Sequence, residues 1–112
     1  MKTPILSRRL VLEEAQSLPD GSGGFSRSWV SLGVIWADVR PGAGGEAAGE
    51  SLTISRVPCR IVVRGAPVGA PSRPRPEQRL RESGRVFVIE AVTEADPAGQ
   101  YLVCVAREEV VA

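Results

Sequence analysis

With 112 residues, 43% of them apolar and 24% charged, and a formal charge of +1, the chain has the size and composition of one packed domain. It contains no histidine, which removes the commonest general base, the Ser/His/Asp and Cys/His catalytic arrangements and nearly all catalytic zinc sets. Its 12 glycines and 9 prolines turn the backbone too often for long helices and point to β structure.

After an N-terminal tail of residues 1–7, Arg8 to Glu14 alternates weakly, with Leu10 and Leu12 opposite Val11 and Glu13, and reads as a first strand. The run Pro19-Asp20-Gly21-Ser22-Gly23-Gly24 breaks it. A longer strand from Phe25 to Val39 sets Val30, Leu32, Val34 and Trp36 against Trp29, Ser31, Gly33 and Ile35, with Gly33 marking a bulge or bend. Pro41 ends that run. Gly42, Gly44, Gly45, Glu46, Ala47, Ala48, Gly49 and Glu50 offer too little bulky apolar surface to order themselves, so residues 41–51 are expected to form a mobile loop.

The third strand, Leu52 to Arg64, turns Cys59, Ile61 and Val63 to one face and Arg60, Val62 and Arg64 to the other, and Pro58 signals an edge or bulge. A proline-rich connector over residues 65–76 follows. Pro76 to Ser83 suits one short helical turn, with Pro76 at the first helical position and Gly84 just past the end. Arg85 to Thr93 and Gln100 to Arg107 flank the turn-rich segment Glu94 to Gly99 and form a hairpin. Both faces of these two strands are largely apolar, which places them centrally in a small closed barrel or beneath a neighbouring subunit. The expected fold is all-β: one domain, a small antiparallel β-barrel or sandwich of five to six strands, with a long loop between strands two and three.

Cys59 and Cys104 lie inside apolar runs and read as two small buried side chains in a reducing compartment, with a bridge between neighbouring strands as the other reading. The longest apolar run, Tyr101 to Ala106, is far short of the roughly 20 residues that cross a bilayer, and Met1 to Ser17 has no apolar block like a secretion signal. A soluble, cytoplasmic chain with no membrane contact is therefore expected.

Charge is unevenly spread. Residues 56–85 carry eight arginines, Arg56, Arg60, Arg64, Arg73, Arg75, Arg79, Arg81 and Arg85, against two acidic residues, whereas the end is acidic at Glu108 and Glu109. Such polarity suits contacts between subunits, and arginine suits bidentate pairing with carboxylate or phosphate. The glycine run lacks the lysine and hydroxyl of a phosphate-binding loop. Glu13 and Glu14, like Glu108 and Glu109, are adjacent in strands, point to opposite faces and are expected in solvent. No catalytic residue, metal site or cofactor is nominated. The aromatics lie mostly outside the arginine segment, which speaks against a base-stacking platform.

The order of features resembles the phage head-tail joining proteins, also called head-closure or stopper proteins, a likeness covering about residues 7–108. It rests on the strand Arg9 to Glu13, a glycine-rich turn followed by Trp29, and the run Val34-Ile35-Trp36-Ala37-Asp38-Val39-Arg40-Pro41. It continues through Gly45-Glu46-Ala47-Ala48, the strand Arg60-Ile61-Val62-Val63-Arg64, Arg79, and Gly84-Arg85-Val86-Phe87-Val88-Ile89, then the closing strand Tyr101 to Arg107. The connector 65–76 is longer and richer in proline than the link usual in that family.

The resemblance implies a small barrel that assembles as a hexameric or dodecameric ring in the neck of a phage or of a phage-like particle such as a gene transfer agent, built in the bacterial cytoplasm. Its partners would be further copies of itself, a portal-side adaptor ring, and tail terminator or tail tube proteins. Packaged double-stranded DNA would lie in the channel without sequence-specific contact. The loop Gly42 to Ser51 would close or line that channel. Arg60, Arg64, Arg79 and Arg85, with Glu108 and Glu109, are the candidate interface residues. Two other readings are a tail-completion or terminator subunit and a small barrel that binds nucleic acid non-specifically, the latter predicting DNA affinity that falls steeply with salt.

Overall fold

Period-two alternation builds six strands: β1 (Arg8–Pro19), β2 (Phe25–Pro41), β3 (Arg56–Arg64), β4 (Arg79–Glu82), β5 (Arg85–Glu94) and β6 (Tyr101–Glu109). The structure is a computed structural model that describes residues 3–42 and 56–109, the latter from the Arg56 backbone onward. The strands close into an antiparallel barrel in the order β1-β2-β3-β6-β5-β4, and no helix occurs among the described residues. Residues 52–55 of the expected third strand lie outside the described residues.

One side chain in two points inward. Leu10 and Leu12 meet Leu80, Phe87 and Ile89, and from the far wall Ile61, Val63, Leu102, Cys104 and Ala106 complete the core. Cys59 and Cys104 are free and buried, and burial pushes their thiols up to about 11 and about 12 respectively. Val62 is only 2% exposed although it alternates outward. Its register partner on β2 is Asp38, whose Oδ2 accepts a hydrogen bond from the Ile5 amide at 3.0 Å, so the N-terminal segment is tethered over this part of the outer wall.

The helical turn expected over Pro76 to Ser83 is a strand instead. A tight turn closes at Arg75 to Gln78, where the Gln78 amide donates to the Arg75 carbonyl at 3.1 Å, and β4 follows. Glu77 and Ser83 take positive φ values of 76° and 52°, which interrupt any helix, and β1 and β5 pair with Arg79-Leu80-Arg81 on either side. Leu80 enters the core and the two arginines face outward over β1.

At the β1–β2 pairing, Leu12 lies opposite Gly33 and Glu13 opposite Ser31, which leaves Leu32 as the extra residue of a bulge. Gly33 has φ 138°, a value that side chains rarely tolerate, so the bend marked in the sequence is real and needs this glycine. Beyond it, Glu14 to Pro19 and Phe25 to Val30 pair with each other alone, forming a two-stranded ribbon about 20 Å long. Its tip is fixed by Asp20, whose Oδ1 accepts hydrogen bonds from the Ser22 and Gly24 amides at 2.8 and 3.1 Å. Outside the closed barrel, this ribbon leaves a strand edge open on each side.

The connector between β3 and β4 departs where Gly65 donates to the Gln100 carbonyl at 2.8 Å. A Cβ at Gly65 would sit 2.1 Å from the Gly99 carbonyl oxygen, so only glycine allows this approach of two backbones. The connector then crosses the ribbon end of the barrel with Pro74 fully buried. The segment joining β2 to β3 leaves from the opposite end, beside the hydrogen bond from the Gly42 amide to the Pro58 carbonyl at 3.0 Å. Pairing of β3 with β2 stops at Cys59, so Pro58 has the edge position its ring requires.

Candidate interaction surface

Among the described residues no three His, Cys, Asp or Glu side chains gather as a metal site, and the charged groups form a pattern of ion pairs on the outer wall. That pattern decides which arginines can meet a partner.

On the face of β1 and β4, Glu13 is 6% exposed and lies beneath two arginines. Arg79 Nε donates to its Oε1 at 2.6 Å and Arg81 Nε to its Oε2 at 2.9 Å. Expectation placed Glu13 in solvent; outward alternation is correct, but the arginines flanking Leu80 cover it. Burial opposes the Glu13 carboxylate charge, and the hydrogen bonds from Arg81 and Arg79 outweigh that and hold its pKa below the usual carboxylate range. The Arg79 guanidinium also lies 4.1 Å from the Trp29 ring centroid, with that of Arg27 at 5.0 Å, so the fold brings an indole from the ribbon against the arginine segment. Glu14 accepts from Arg75 at 2.6 Å and from Gln78 at 3.0 Å.

A second network circles the opposite end of the barrel. Arg8 grips Glu82 through both Nε and Nη2, and Arg85 grips Glu108 likewise at 2.7 and 2.9 Å. Arg85 also approaches Glu82 at 3.9 Å, joining the two pairs. Hydrogen bonds from Arg8 and Arg85 hold Glu82 and Glu108 below the ordinary carboxylate range, and Arg40 with the Ile5 amide does the same for Asp38.

A folded-state pKa below the unfolded value gives stability that is present above the unfolded value, near 4, and lost as pH falls through the folded one. The melting temperature is therefore expected to stay level from pH 7 to about pH 5 and to drop steeply below about pH 4. Thermal scans by circular dichroism across that range check this, and a level profile down to pH 3 contradicts it.

Of the candidate interface residues, Arg79, Arg85 and Glu108 are thus engaged within the chain, and Glu109 stands opposite Arg56 and Val86 in register. Arg60 and Arg64 are exposed on β3 and make no ion pair with another described residue. Gly42 is described; Gly44, Gly45, Glu46, Ala47, Ala48, Gly49 and Glu50 lie outside the described residues.

Two apolar features complete the surface. Phe25 at the ribbon tip is 73% exposed, with half-exposed Leu18 on the opposite face of the ribbon. At the far end of β2, Val34 and the 52% exposed Trp36 line a concavity of about 470 Å³ with Leu6, Arg64 and Gly65.

A family model described as phage head completion protein matches residues 1–109. A chain in the solved virion of a native gene transfer agent particle is 57% identical, with a TM-score of 0.81 over 98% of this chain and 100% of that one. The solution structure of a protein from Shigella flexneri 2a is 24% identical with a TM-score of 0.68 over 96% of each chain, a likeness of fold. No curated protein matches the chain.

Proposed function

The chain belongs to the phage head completion protein family, and from that membership we propose that it is a structural subunit of a phage-like virion, forming a ring in the neck between the portal-side adaptor and the tail. The observation that carries this reading is the 57% identity to a gene transfer agent virion chain along that chain's whole length. The ring closes the DNA channel and offers the tail its docking face. Its work is mechanical and electrostatic, and no bond is made or broken.

The closing element in this reading is the segment Gly42 to Ser51, which joins β2 to β3 at one end of the barrel, away from the ribbon and the connector. Arg60 and Arg64, whose charges no described carboxylate neutralises, face acidic groups on a neighbouring subunit. The internal pairing of Arg75, Arg79, Arg81 and Arg85 counts against the reading in which the whole arginine segment grips nucleic acid.

Deleting Gly44 to Ala48 is expected to leave the subunit in the particle and to let packaged DNA escape from filled heads. Nuclease-protected DNA per particle measures this, and full retention removes the closure role. Electron cryo-microscopy of the same necks tests the ring, which fails if this chain lies elsewhere in the virion.

A further inference from the structure

We propose that neighbouring copies of this chain are joined by the tip of the β1–β2 ribbon of one copy seated in the Val34/Trp36 concavity of the next. The inference rests on the ring reading above and supplies the contact that would build it.

Three observations on the same chain converge. Phe25 and Leu18 project from opposite faces at the end of a ribbon that no other strand supports, so its tip is apolar on both sides. Val34, Trp36 and Leu6 form an apolar recess, and Val34 lies nine residues along the same strand from Phe25, roughly 30 Å away. A single copy therefore cannot fill its own recess. Charge matches as well. Asp20 at the tip spends Oδ1 on its own turn and makes no ion pair among the described residues, while Arg64 on the rim of the recess is equally without one. Seating the tip would bring this carboxylate to this guanidinium.

A projection that fits a different patch on the next copy makes a heterologous contact, which propagates around a ring. Its area argues for the same outcome. A buried aromatic side chain contributes about 150–250 Å², so Phe25 and Leu18 supply a few hundred Å², under the roughly 800 Å² per partner of a stable pair. Two free copies should not stay together, whereas in a closed ring each copy makes the contact twice, once as tip and once as recess. The isolated chain should accordingly be monomeric.

The test uses assembled particles carrying Phe25→Cys together with Val34→Cys; the native thiols of Cys59 and Cys104 are buried. Mild oxidation is expected to give a ladder of dimer, trimer and higher species on a non-reducing gel, and neither single variant gives one. A cross-link to a different virion protein, or no cross-link in particles whose necks still show this chain as a ring, overturns the contact and leaves the ring reading standing. Because the cysteine pair could block assembly, charge reversal and its relief give a second route. Arg64→Asp should lower complete-particle yield about tenfold or more, since it sets like charges together, and adding Asp20→Asn, which removes the opposing charge but keeps the acceptor that fixes the tip, should recover much of it. A double variant no better than Arg64→Asp alone also overturns the proposal.

Discussion

Replacing Phe87 by alanine is expected to lower the unfolding free energy by about 3–5 kcal/mol, the range for truncating a fully buried aromatic side chain. Phe87 is 0% exposed and touches the core formed from both walls. It also underlies the end from which the β2–β3 segment departs, lining a recess there with Cys59, Pro58 and Arg85, whose guanidinium carbon lies 5.2 Å from the ring centroid. A domain of this size has about 5–15 kcal/mol in total, so the variant loses roughly a fifth or more of it. Urea unfolding should show the midpoint falling with little change in slope. Phe87→Leu, which keeps most of the apolar volume, should cost much less. A shift under 1 kcal/mol for the alanine variant would mean that the barrel collapses around the missing ring and that Phe87 does not close this end.

The strands that were legible in the sequence are those whose alternation runs long enough to define a face. Leu102, Cys104 and Ala106 repeat three times at period two, as do Cys59, Ile61 and Val63, and all six lie in the core. Gly33 was readable as a bend because an isolated glycine in a β run has few other uses. Strand β4 was not, because its four residues hold a single apolar side chain, and one leucine has no period. What makes it a strand is β1 and β5 on either side, and neither partner is visible locally. The arginine segment misled for a related reason. Summed along the chain it is strongly basic, yet Glu13 and Glu14 reach it from more than 60 residues away and neutralise part of it. Trp29 likewise seemed remote from the arginines until the ribbon folded against Arg79. Sequence order located the barrel; only tertiary pairing separates Arg60 and Arg64, which make no ion pair among the described residues, from Arg79 and Arg85, which do.

Glu13→Gln carries the second large effect, expected at about 2 kcal/mol, between the near-zero value of an exposed pair and the 3–5 kcal/mol of a fully buried one. The intermediate value follows from geometry: the carboxylate is buried, but the side chain of Arg79 is 22% exposed and that of Arg81 40%, so water still screens them. Glutamine retains an acceptor and removes the charge, leaving two guanidinium groups facing each other across one neutral amide. A melting temperature lower by about 10 °C is expected. The acid-induced loss of stability should also become shallower, because one carboxylate with a depressed pKa is gone. Replacing all three groups, as Glu13→Leu with Arg79→Met and Arg81→Met, should recover much of the loss, since the cost of the single change is mainly the stranded charges. Arg79 also braces Trp29, so the single variant should loosen the ribbon relative to the barrel. Amide exchange separates the two effects. Faster exchange confined to Ala15 to Leu18 and Phe25 to Trp29, with β5 and β6 still protected, identifies Glu13 as the residue that aims the ribbon tip. Uniform acceleration across the barrel would instead limit it to general stability.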